Sequence, residues 1–156
     1  MPQVSVLETS CSRIGTRVPV VDASVVVDWV APDADPEGPA RRLLKRLARA
    51  NATVLAPRLM REEVSNALLS GVRRQRWDGA AADTAFQLLM ALPVEVADLP
   101  GDLDRAWDLS RRYDEHPVYD MLYVAMAERL GEPLITADER LRTRLAGRKL
   151  VIGLDE

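Results

Sequence analysis

The chain has 156 residues, of which 47% are hydrophobic and 29% charged, with a formal net charge of −3 and a pI of about 5.3. That balance fits a single globular domain and excludes a uniformly basic polyanion binder, and no stretch approaches the roughly 20 apolar residues of a membrane span. The lone cysteine, Cys11, excludes an intrachain disulfide and suits a reducing cytoplasm, and the lone histidine, His116, excludes a histidine-pair mechanism and a multi-histidine zinc site.

Residues 1–17 lack the basic start and apolar core of a signal peptide and read as a poorly ordered arm. The segment VPVVD (18–22) reads as a buried strand ending at Asp22. In ASVVVDWV (23–30) the valines favour a strand, whereas Ser24 suits a helix cap. One strand across both segments would be unusually long, so a short helix is expected after Asp22. The proline, aspartate and glycine of 31–39 mark a loop. Residues 40–50 form an amphipathic helix with Leu43, Leu44 and Leu47 as its apolar stripe. A buried strand (52–57), helices at 58–75 and 80–92 separated by Trp77-Asp78-Gly79, a strand (93–100) and a helix (102–114) follow. The segment 116–131 is a helix that is apolar nearly all round, with Pro117 near its first turn and Gly131 at its end. A strand (132–138), a helix (139–146) and a last strand (149–154) complete the chain. Strands alternating with helices predict an α/β domain over 18–156 with a parallel sheet, whose functional groups gather outside the carboxyl ends of the strands.

Most of the 24 acidic residues are surface decoration, so the informative ones sit where decoration is implausible. Asp22 lies between VPVV and SVVV; a turn or N-cap role is the plain alternative. Asp120 shares a helical face with Tyr123, Val124 and Ala127 in a buried helix, and the helix dipole accounts for its charge but not for its neighbours. On helix 58–75, Glu62 lies opposite the stripe of Met60, Val64, Ala67 and Leu68, whereas Glu63 flanks it, with Asn66 one turn on. Asp138 follows a strand and suits an N-cap. Ser24 and Thr136 are small hydroxyl residues beside two of these acids. Together the acids converge on one sheet edge. Like charges there need compensation, and no Lys or Arg adjoins them in sequence. A hard divalent cation would supply it, together with phosphodiester hydrolysis as chemistry.

The ordered set VVDAS (20–24), APRLMREEVSNALL (56–69), YDMLYVAMAERLGEPLITADERL (119–141) and the closing VIGL resembles the PIN-domain ribonucleases, and among them the VapC toxins of toxin–antitoxin pairs. The resemblance runs from 18 to 154. It implies a three-layer fold with a central parallel sheet of about five strands flanked by helices. It also implies an endoribonuclease dependent on Mg²⁺ or Mn²⁺. The family's acidic quartet falls on Asp22, Glu63, Asp120 and Asp138, with Asp22 and Asp120 as main metal ligands and Glu63 and Asp138 completing the site directly or through water. Ser24, Asn66 and Thr136 match supporting positions. A cognate VapB-type antitoxin and a homodimer are implied as well, and the antitoxin is expected between helices 40–50 and 58–75 with a basic side chain in the acidic pocket.

Three basic clusters are candidate RNA contacts: Arg41, Arg42, Lys45, Arg46 and Arg49; Arg73, Arg74 and Arg76; and Arg140, Arg142, Arg144, Arg148 and Lys149. Each taken singly reads as a solvated helix face. Trp77 reads as packing a helix turn, with base stacking as its alternative, and His116 as a turn residue. Rival functions are a catalytically silent PIN-like RNA-binding module and a phospho-accepting receiver domain. A receiver wants paired acids after the first strand and a lysine at a late strand end; here one aspartate follows Val21, and Lys149 precedes its strand. A haloacid-dehalogenase-type phosphatase wants D-x-D, and position 24 is Ser.

Overall fold

The computed structural model describes residues 18–155. The expected arm at 1–17, Cys11 included, lies outside them. In chain order the elements are β1 (Val20–Val21), α1 (Ala23–Val30), α2 (Pro39–Arg49), β2 (Val54–Ala56), α3 (Leu59–Arg73), α4 (Gly79–Ala91), β3 (Val94–Val96), α5 (Pro100–Arg112), α6 (Val118–Leu130), β4 (Leu134–Ile135), α7 (Glu139–Arg144) and β5 (Val151–Ile152). Every expected element is present. The strands are shorter than their apolar runs, because only two or three residues of each enter the ladder.

All strand pairs are parallel, in the order β3-β2-β1-β4-β5. Val20 is level with Leu55 on one side and Leu134 on the other. This is the expected three-layer α/β fold. α1 packs on α2, α3 and α4, whereas α5 packs on α6, which lies against β1 and β4. After β1 the chain winds outward through β2 and β3, then returns to the other side of β1 for β4 and β5. The winding direction therefore reverses between β1 and β4, the place in such sheets where functional groups gather outside the carboxyl ends of the strands.

The core explains why a carboxylate is held at that point. Val20, Val21, Val25 and Val26 are fully buried on either side of Asp22. Each contributes roughly 1.5–3 kcal/mol by leaving water, which together outweighs the penalty of drawing one carboxylate in with them. α6 is buried through Met121, Tyr123, Val124, Ala125, Met126 and Ala127, as its apolar circumference requires, and ends at Gly131 with φ +66°. Trp77 packs against Gly71, gives its indole N–H to the Leu68 carbonyl at 3.0 Å, and carries the Arg76 guanidinium 4.7 Å over its ring. That is the packing role; with its N–H bonded and one face covered by Arg76, it offers little to a base. No described helix is long and apolar enough to cross a membrane.

Candidate active site

Asp22 follows β1 directly and stands at the N-cap position of α1 with extended backbone, yet its side chain caps nothing. Its Oδ2 instead accepts hydrogen bonds from Thr136 Oγ1 (2.6 Å) and Ser24 Oγ (2.8 Å). Thr136, fully buried, follows β4, so the two neighbouring strands present acid and hydroxyl to one another. The proton direction is fixed by what lies behind. Thr136 Oγ1 accepts from the Asp138 amide (3.0 Å) and Ser24 Oγ from the Ala137 amide (3.1 Å), so each hydroxyl turns its own proton toward Asp22.

Glu63 lies on α3, half-buried, and accepts a short hydrogen bond at Oε2 from the hydroxyl of Tyr123, one turn beyond Asp120 on α6. Asp120 lies in the first turn of α6, and its Oδ2 is 2.7 Å from His116 Nε2. His116 does form a turn: its amide donates to the Tyr113 carbonyl at 3.2 Å. Its imidazole, 12% exposed, also holds Asp120 from the flank, a role the sequence reading missed. The H-P-V-Y-D spacing was visible, but His116 precedes the helix, so helical geometry could not assign the contact. The Tyr123–Glu63 bond joins two elements and leaves no local signal.

The electrostatics separate these acids from structural ones. Burial pushes Asp22 above the usual carboxylate range, against the lowering by its two hydroxyl donors, and Asp120 pushes it further. Burial raises Glu63, with Asp22 and Asp120 adding to the effect against the Tyr123 bond. Burial also raises Asp120, with His116 pulling down and Asp138 pushing up. Burial of the phenol and the Glu63 carboxylate raise Tyr123, so it is held as a protonated donor. Asp102 is the internal contrast. It is 5% exposed against 7% for Asp22. Burial works against its charge too, but the Arg129 guanidinium, at 2.7 Å and 2.9 Å, and the Leu99 amide carry it below the usual range. At Asp102 the fold supplies an arginine to the buried carboxylate. Around Asp22 and Glu63 it supplies hydroxyls and further carboxylates.

Asp138 does cap α7, its Oδ1 accepting from the amides of Arg140 (2.8 Å) and Leu141 (3.2 Å), while its charge still acts on Asp120. Glu62 is exposed and pairs with Arg58 at 3.3 Å, as expected of the solvated neighbour of Glu63. Asn66 is not brought to the carboxylates by any hydrogen bond among the described residues; it is exposed and lines a groove with Leu69, Phe86, Met90 and Val96.

The PIN-domain family model matches residues 20–144, which spans both strand ends and all four acids. The chain belongs to the PIN-domain family. Ribonuclease VapC3 of Mycobacterium tuberculosis is 38% identical over 122 residues, covering 78% of this chain and 83% of the relative. Ribonuclease VapC12 of the same organism is 35% identical, covering 78% and 88%. The crystal structure of PAE2754 from Pyrobaculum aerophilum superposes with a TM-score of 0.65 over 89% of this chain and 92% of that one, at 24% identity, and so shares the PIN fold. Within this PIN domain the donors gathered around Asp22 are hard oxygens, the kind suited to Mg²⁺ or Mn²⁺. Among the described residues no three His, Cys, Asp or Glu side chains form a ready metal cage.

Proposed function

We propose that the protein is a cytoplasmic, divalent-metal-dependent endoribonuclease, the toxin of a toxin–antitoxin pair. The observation that carries this reading is the state of Asp22: buried at the carboxyl end of β1, held by two hydroxyls, and raised by burial and by the charge of Asp120. Such a site is short of positive charge. The names of the VapC relatives support ribonuclease chemistry.

Asp22 and Asp120 would hold a Mg²⁺ or Mn²⁺ ion directly, with Glu63 and Asp138 completing the site directly or through water. The bound ion would supply Lewis acidity toward a phosphate oxygen and an acidified water for in-line attack on an RNA phosphodiester. Ser24 and Thr136 fix the rotamer of Asp22, and His116 that of Asp120, so both carboxylates are oriented before substrate arrives. Tyr123 holds Glu63 by its hydroxyl proton.

The chain acts with partners in this reading. A VapB-type antitoxin docks between α2 and α3 and places a basic side chain among the raised carboxylates; the apolar pocket of about 270 Å³ beside α2 is lined by Trp29, Leu44, Leu47, Val54 and Pro93, on the β2 side of the helix and away from α3. A homodimer is supported by the exposed apolar side chains Leu69, Phe86, Met90 and Val96 around one groove. Calorimetric titration of Mg²⁺ tests the metal site. Saturable binding is expected for the wild type, and tenfold or weaker binding for Asp22→Asn and Asp120→Asn; equal binding by all three would contradict the assignment. Co-expression with the adjacent open reading frame should restore growth and yield a complex if the toxin role holds.

A further inference from the structure

A cleft of about 690 Å³ lies between the end of α5 and α7, and His116 forms part of its wall. Through the His116–Asp120 contact it adjoins the acidic site. Its other charged linings are Arg112, Asp114, Glu139, Arg140 and Arg144. Two of the three arginines are uncommitted. Arg144 is bound to Asp114 (3.0 Å) and to the Tyr113 carbonyl (3.1 Å), and Glu139 is engaged by Arg142. Arg112 and Arg140 are exposed, and among the described residues neither guanidinium has a partner. On α2 four of the five cations are engaged, and of the five only Arg49 is exposed without a partner among the described residues. Arg42 pairs with Asp155, Lys45 with Glu37, and Arg41 and Arg46 bind backbone carbonyls. Arg76 is likewise paired, with Asp33.

Free arginines in a concave surface match the diester oxygens of an RNA backbone, because a guanidinium binds two oxygens of one phosphate with directed N–H bonds. Resting on the nuclease reading, we propose that this cleft carries the RNA strand as it leaves the scissile position, with Arg112 and Arg140 each holding one backbone phosphate. The C-terminal cluster then contacts RNA through Arg140, together with Arg112 from α5, because these two free guanidinium groups share one concave surface. The cleft contributes register and affinity, not base choice.

The test is fluorescence anisotropy with a labelled single-stranded RNA of about ten nucleotides, in EDTA so that no strand is cut, across about 50–200 mM KCl. The Arg112→Ala/Arg140→Ala double variant is expected to bind at least tenfold more weakly at low salt. Its dependence of log affinity on log salt should be shallower by about 1.4, about 0.7 for each phosphate no longer neutralised. An Arg46→Ala/Arg49→Ala variant is expected to bind as the wild type does, and thermal melts establish that each variant folds. Unchanged affinity and slope in the cleft variant, or a loss that moves to the α2 variant, would overturn the cleft assignment alone. Failure of the wild type to bind RNA would overturn both the cleft and the nuclease reading.

Discussion

At the scale of single residues the site rests on what surrounds Asp22. Its raised carboxyl means that the native state holds protons more tightly than the unfolded chain, so this residue opposes folding above its native titration range and ceases to do so as pH falls through it. Asp22→Asn is therefore expected to raise the melting temperature at pH 7 in EDTA, and the gap to wild type should close as the pH approaches about 4. A gap independent of pH would mean that the charge at this position is not the destabilising feature. Thr136→Val removes the 2.6 Å donor and leaves shape nearly unchanged. By analogy with other groups that orient metal ligands, it should weaken Mg²⁺ affinity roughly 10–100-fold, measured by calorimetry. Glu115 presents the opposite case. It and Asp114 both have positive φ (56° and 55°) in the turn that delivers His116, a conformation that disfavours side chains bearing a Cβ by roughly 1–2 kcal/mol. Glu115→Gly is expected to recover about 1 kcal/mol in denaturant melts, reduced by the greater freedom of glycine in the unfolded chain.

At the scale of elements, α3 and the turn after it depend on one close approach. A Cβ on Gly71 would lie 1.9 Å from Trp77 Cζ2, so Gly71→Ala must displace the indole and strain its bond to Leu68; a loss of about 1–3 kcal/mol is expected in urea melts. The elements themselves were legible in the sequence to a large degree. Pro and Gly mark the ends of α6, and the choice of a helix after Asp22 was decided by length against the β preference of Val25, Val26 and Val27. Strand ends were less legible, because apolar runs continue past the last ladder bond: the run at 149–154 pairs only through Val151 and Ile152. Glu63 was separable from Glu62 by helical angle alone, since a stripe of four residues fixes the buried side. The same geometry set Asn66 on the flank of the stripe, one turn beyond Glu63, but could not show that α4 and β3 build a groove there for it to face. His116 and Tyr123 escaped because their partners are fixed by tertiary approach rather than by spacing.

At the scale of the whole molecule, the topology does the assembling. Asp22 and Thr136 lie far apart in the chain but meet because β1 and β4 are parallel neighbours at the point where the winding reverses. The same fold leaves an apolar groove at its β3 edge, and the proposed homodimer can be checked there. Light scattering is expected to give a dimer for wild type and a monomer for Leu69→Glu/Phe86→Glu; a variant that stays dimeric would place the interface elsewhere. The most direct measurement of the central claim is cleavage of structured RNA by the purified protein, with Mg²⁺ or with EDTA, alongside Asp22→Asn and Asp120→Asn. Cleavage with Mg²⁺ is expected, with none in EDTA and a loss of at least about 100-fold in either variant. Cutting that persists in EDTA or in both variants would contradict a metal-dependent nuclease at this site.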